Sequence, residues 1–216
     1  MRPEPEWAYT GPMDVLRIES AEEPFTFPET GKAATTLLGR AETMGLLGDL
    51  GVISHLDANV IERVLQQIGR VGLMQGGVRP LPEDPAEILR VLQKAAAALE
   101  DSPLPQQEWA PLRATLGDEL LARLCGISEV SLRRYATGIR ATPDAVANRL
   151  HVLALVVADL RGAYNDYGIR RWFQRPRAQL GGRSPEEYLP RLWTPDSAEV
   201  AAVRALAASL SGSPAT

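Results

Sequence analysis

Between Asp118 and Gly138 the chain reads DELLARLCGISEVSLRRYATG, and few folds accept that pattern. Leu120, Leu121 and Leu124 give a first short helix one apolar stripe, and Cys125-Gly126-Ile127 makes a tight turn in which Gly126 is best able to take a positive φ. Ser128 is a good N-cap for a second helix, Leu132 and Tyr135 sit three apart and pack inward, and Gly138 closes it. Two short helices joined this way form a helix-turn-helix. Ser128, Glu129, Ser131, Arg133 and Arg134 are then the candidate DNA-binding residues of the second helix, because an exposed arginine pair can bond guanine edges bidentately or neutralise phosphates. Thr137 and Arg140, beyond the groove-facing turn, are placed to reach the DNA backbone. An ordinary αα-hairpin carrying a solvated arginine pair satisfies the same pattern. The next helix favours the first reading: Thr142 as cap and Pro143 at the first helical position open a long apolar helix through Leu150, Leu153, Val157 and Leu160, which can back the pair.

Composition points to an all-α fold. Apolar residues make up 45% of the 216, but aromatics only 6%, and alanine and leucine dominate where a sheet would need β-branched and aromatic clusters. The net charge of −4 is unevenly spread: −6 over residues 1–60, −2 over 61–127, +6 over 128–183 and −2 over 184–216. The whole positive excess thus lies on the second helix of the pair and the tract after it, and a local footprint matters more for phosphate binding than the total. A solvated arginine-rich face is the alternative.

Residues 1–30, with five prolines by Pro28 and an acidic excess, read as an extended acidic arm. Residues 31–104 read as a helical N-terminal region of unreadable role. Within it Val60, Ile61, Val64, Leu65, Ile68 and Val71 form one helical stripe, ended by glycines at 69, 72, 76 and 77. After a proline-rich break, Asp84 caps a helix with Pro85 first and Glu87 in the capping-box position; it buries Ile88, Leu89, Leu92, Ala95, Ala96 and Leu99. SPLPQQE reads as a linker, placing the helix-turn-helix unit at 105–163 and a C-terminal unit at 164–216.

That C-terminal unit carries Trp172 and Phe173 on a short helix, a break at Pro176, a turn at Gly181-Gly182, and Ser184-Pro185 with Glu187 as a second capping box. A further helix start is expected at Thr194-Pro195, leading through Val200, Val203, Leu206 and Leu210. The two aromatics are expected as core anchors. Arg170, Arg171, Arg175, Arg177 and Arg183 are the candidate partner-binding residues, facing either DNA phosphate or an acidic protein. In its order of features the chain resembles the Xre/MbcA/ParS antitoxins, which join a helix-turn-helix to a C-terminal toxin-binding domain. Trp172, Pro176, Leu180-Gly181-Gly182, Ser184-Pro185 and Leu189 match the pattern of that domain. The resemblance covers roughly residues 105 to 210 and leaves the N-terminal half outside it. It implies a protein that neutralises a cognate toxin, often a RES-type protein acting on NAD, and that represses its own operon as a dimer or larger complex. Operator DNA and a protein toxin are the implied partners.

Catalysis is not expected, nor is a cofactor or a metal. Gly181-Gly182 lacks the preceding strand and the Gly-Lys-Ser/Thr of a phosphate loop. Cys125 is alone, which rules out an internal disulfide, and His55 and His151 lie far apart without nearby carboxylate motifs. The start has no signal-peptide pattern and the most apolar run, Leu150 to Ala158, is far short of a membrane span, so a cytoplasmic location is expected. Two further readings stay open: a solitary regulator or scaffold without a toxin, and an acidic N-terminus that folds back and masks the basic segment.

Overall fold

A computed structural model of the chain describes residues 16–74 and 80–210. As the composition predicts, it is mostly helical, with ten α-helices and one two-stranded sheet among the described residues. The order is β1 (Leu16–Ala21), α1 (Pro28–Thr43), β2 (Ile53–Leu56), α2 (Ala58–Arg70), α3 (Pro85–Glu100), α4 (Pro105–Leu116), α5 (Asp118–Cys125), α6 (Glu129–Ala136), α7 (Asp144–Arg161), α8 (Asp166–Gln174), α9 (Pro185–Tyr188) and α10 (Ala198–Ala208).

The central element is α7. Every residue from Leu150 to Val157 is buried, because the run LHVLALVV is apolar nearly all round and only a helix enclosed on all sides can hide it. Helices α1, α4, α5, α8 and α10 pack around it. The two polar residues on this helix that are buried, Arg149 and His151, both have partners. A single apolar cluster runs from Phe25 through α7 to Ala207.

Several boundaries differ from the sequence reading. The acidic arm holds a strand and a helix start within its described part: β1 pairs in parallel with β2, Leu16 opposite Ile53 and Ala21 opposite Leu56, and Phe25 is buried. Residues 1–15 of that arm lie outside the described residues, as do glycines 76 and 77. The stripe on α2 is as expected, with Ile61, Val64, Leu65 and Ile68 fully buried and Val60 and Val71 partly so. Asp84 caps α3 by accepting from the Ala86 N–H, but among the described residues Glu87 makes no return bond, and Leu89 is only half-buried.

The SPLPQQE linker ends early, because α4 already starts at Pro105. Proline at a first helical position needs no N–H donor, which is why a proline-rich stretch could open a helix. Pro111 sits inside α4 and cannot supply the N–H that Gln107 O would normally accept. Gly45, at φ +71°, lies against that carbonyl so closely that a Cβ would come within 2.6 Å of it. Helix α7 begins one residue later than expected, with Pro143 rather than Thr142 as its cap. Thr142 instead accepts the Trp109 indole N–H at 3.0 Å. Likewise Ser197, not Thr194, caps α10, and its Oγ accepts from the Val200 N–H.

Candidate helix-turn-helix and C-terminal unit

Helices α5 and α6 form the expected pair. Leu120, Leu121, Leu124, Leu132 and Tyr135 face inward, and Tyr135 stacks on Trp109 of α4 at 6.3 Å between ring centroids. Ser128 caps α6 by accepting from the Ser131 N–H, and Gly138 at φ +71° closes it. Gly126 takes the left-handed conformation at φ +69° that the turn demands. It is also the point of closest packing, since a Cβ there would stand 2.2 Å from Arg191 O and 2.9 Å from Arg149 Nη1.

The last carbonyls of a helix have no partner inside it. At the end of α5 Ala122 O and Arg123 O accept from the backbone of the turn, and the last two are taken by side chains from elsewhere: Trp193 Nε1 donates to Leu124 O at 2.9 Å, and Arg149 of α7 donates to Cys125 O. Arg123 adds an ion pair to Glu186 on α9, so the C-terminal unit is fastened to the turn at two points. The sequence reading missed Trp193 and Arg149, whose partners lie 69 and 24 residues away in the chain.

The candidate DNA-binding residues are brought together on and just after α6, but they are not equivalent. Ser128, Arg133, Arg134, Thr137 and Arg140 are exposed; Glu129 and Ser131 are half-buried. Arg133 is engaged within the protein, bonding Asp118 at 3.3 Å and Glu129 at 3.0 Å. Asp118 is also gripped by Arg113, and that hydrogen bond first, with Arg133 second, holds its carboxyl below the usual range despite some burial. The Arg134 guanidinium has no such partner among the described residues. Arg140 lies 5.8 Å from the Tyr135 ring centroid, and the Thr137 hydroxyl donates back to Arg133 O. Val130, expected with Ser131 only as a candidate start of the helix that in fact opens at Glu129, and Ile139 are 57% and 77% exposed.

In the C-terminal unit Trp172 and Phe173 are buried edge-to-face at 5.1 Å, as core anchors. Leu180 and Leu189 are buried, Gly181 and Gly182 take φ +66° and +80°, and the Ser184–Glu187 capping box forms in both directions. Ser184 and Pro185 are buried, whereas Pro176 is exposed. The five arginines of this tract divide. Arg170 turns inward and donates to Thr115 O at 2.6 Å, joining α8 to α4, which removes it from the partner-facing set. Arg177 is half-buried over the Trp172 ring, and its backbone bridges to Arg183. Arg171, Arg175 and Arg183 remain exposed, Arg183 lying 4.4 Å over Tyr188.

His151 corrects a further expectation. It does meet a carboxylate: Nδ1 lies 2.6 Å from Oε1 of Glu108, a side chain fully buried on α4, and Nε2 lies 2.8 Å from Glu100 O. A carbonyl can only accept, so Nε2 carries a proton, and a second proton is shared between Nδ1 and Glu108. Burial by itself disfavours the charged ring, but the hydrogen bond and charge of Glu108 outweigh it and hold the His151 pKa above its ordinary value. Glu100 in turn pairs with Arg40 of α1 and Arg204 of α10. Cys125 is enclosed, and desolvation pushes its thiol up to about 12, so it is protonated at neutral pH. His55 is a half-buried partner of Ser20 and Glu22.

Among the described residues no group of three or more His, Cys, Asp or Glu side chains is arranged to hold a metal ion, and no helix is long and apolar enough to cross a membrane. The chain matches no protein-family model, no curated protein and no solved structure.

Proposed function

We propose that the chain is an antitoxin of the type II kind, binding operator DNA through α5–α6 to repress its own operon and holding a RES-like, NAD-directed toxin on its C-terminal unit. One observation carries this reading: α6 packs on α4 and α5 and presents an exposed Arg134, without a partner among the described residues, in the segment of net charge +6. The C-terminal motif residues support the second half. Trp172, Leu180, Leu189 and the Ser184 box form a small scaffold that leaves Arg171, Arg175 and Arg183 facing outward, where they suit an acidic protein surface. A dimer would present two α6 helices to the two halves of a palindromic site.

Titration of the full chain against the duplex upstream of its own gene tests the DNA half. Nanomolar binding that weakens steeply with salt is expected. Co-expression with the neighbouring open reading frame tests the toxin half: rescue of a growth defect is expected, with loss of rescue on combined Arg171, Arg175 and Arg183 substitution. Salt-dependent DNA binding without a toxic neighbour would leave a solitary regulator. Co-purification with a protein and no DNA affinity would leave a scaffold.

A further inference from the structure

Resting on the DNA-binding reading, we propose that Val130 reads a thymine methyl group and Arg134 a guanine within one major-groove half-site, while Arg133 reads no base. Residues near the start of a recognition helix meet base edges, and Val130 is the second residue of α6. Its side chain cannot hydrogen-bond, so it gains nothing from phosphate or from base donors and acceptors. The apolar feature a base pair offers in the major groove is the thymine C5-methyl group.

Arg134 comes one turn later on the same outward stripe, with Thr137 beyond it. Its guanidinium is uncommitted, so its fork is available for the O6 and N7 acceptors of guanine. Arg133 is adjacent in sequence but differently placed. Two of its nitrogens are spent on Asp118 and Glu129, whose carboxylates it shields from the DNA phosphates. The four residues from Val130 to Arg134 advance about 6 Å along the helix, close to two base-pair steps of about 3.4 Å each. The thymine and the guanine therefore lie within about three base pairs of each other.

The test enriches duplexes from a random pool with the full-length chain and then edits the winner one base at a time. Deoxyuridine in place of one thymine, which deletes only the methyl group, is expected to weaken binding about 4-fold, as for one buried methyl. The Val130→Ala variant should bind the unedited duplex about equally weakly and no longer sense that edit. Replacing one guanine by 7-deazaguanine should cost about 5-fold or more, and Arg134→Ala should abolish that sensitivity whereas Arg133→Ala retains it. All three side chains are exposed, and unchanged circular dichroism verifies folding of each variant. Binding that ignores every thymine-to-deoxyuridine edit, or guanine sensitivity that disappears with Arg133 instead, overturns this assignment alone. Absence of any enriched duplex and of any salt-dependent affinity overturns the DNA-binding reading and this assignment with it.

Discussion

Gly126 shows how much one residue can be constrained. Its left-handed φ alone costs any other residue about 1–2 kcal/mol, and the Arg191 carbonyl, 2.2 Å from where a Cβ would stand, is backbone that cannot swing aside. Gly126→Ala is expected to cost more than about 3 kcal/mol, because strain and overpacking add. Gly181→Ala shares the positive φ of +66° but opens onto empty space, so about 1–2 kcal/mol is expected there. Urea denaturation of the two variants checks the contrast; equal losses would mean that the packing against Arg191 contributes nothing. The buried His151–Glu108 pair makes a different kind of prediction. The folded chain holds the His151 proton more tightly than the unfolded chain, whose value is 6.5. Below that pH both states are protonated and the extra stability is complete; above it the unfolded state loses its proton first, so stability falls as pH rises through the raised folded value. The urea midpoint should drop as the pH rises from 6.5 through the raised folded value, and Glu108→Gln, which removes the carboxylate, should flatten that slope while lowering the midpoint throughout. A wild-type midpoint constant over this range would remove the pair from any role in stability.

At the scale of elements, α5 and α6 are held as much by the C-terminal unit as by their own stripes. Trp193→Phe keeps the aromatic bulk but strands the buried Leu124 carbonyl, which is expected to cost about 1–3 kcal/mol. Because that carbonyl ends α5, hydrogen exchange should accelerate first at the α5–α6 turn rather than in α10; uniform acceleration would show that the indole only adds global stability. This dependence explains which elements were legible in the sequence. Helices α2, α5, α6 and α9 announce themselves by apolar period and by the caps Ser128 and Ser184, all local signals. Helix α4 did not, because Pro105 sits in the SPLPQQE stretch that reads as a linker, and the gap that Pro111 leaves at Gln107 is covered by Gly45, far away in the chain. Strand β1 was hidden by acidic and proline-rich surroundings and is defined only by pairing with β2, more than thirty residues on. Within the candidate site the residue types on α6 were readable, but the division of labour between Arg133 and Arg134 was not. It depends on Asp118, 15 residues before Arg133 and brought there by the turn.

On the scale of the whole molecule the question is whether the acidic N-terminal region shields the basic segment. Two ends of α7 separate them. The turn between α5 and α6 is tied to Arg149, whereas α1 meets α7 at Ala158 and Arg161, through Gly39 and the Glu42 ion pair. Nine helical residues span about 14 Å, more than the Debye length of about 8 Å at physiological salt. The start of α1 lines a surface cavity together with Leu89 and Gln93 of α3. Neutralising Glu19, Glu22, Glu23 and Glu29 together to glutamine is therefore expected to change DNA affinity less than about 2-fold at 0.15 M salt. Deleting residues 1–30 would not test the same idea, since it also removes β1 and the buried Phe25 and should lower the melting temperature by several degrees. Deleting residues 1–15 leaves those contacts in place and isolates their net charge of −2. An affinity gain well above 2-fold from the four glutamines would mean that charge in the packed part of the N-terminus acts on α6 through the body of the protein, against the screening argument.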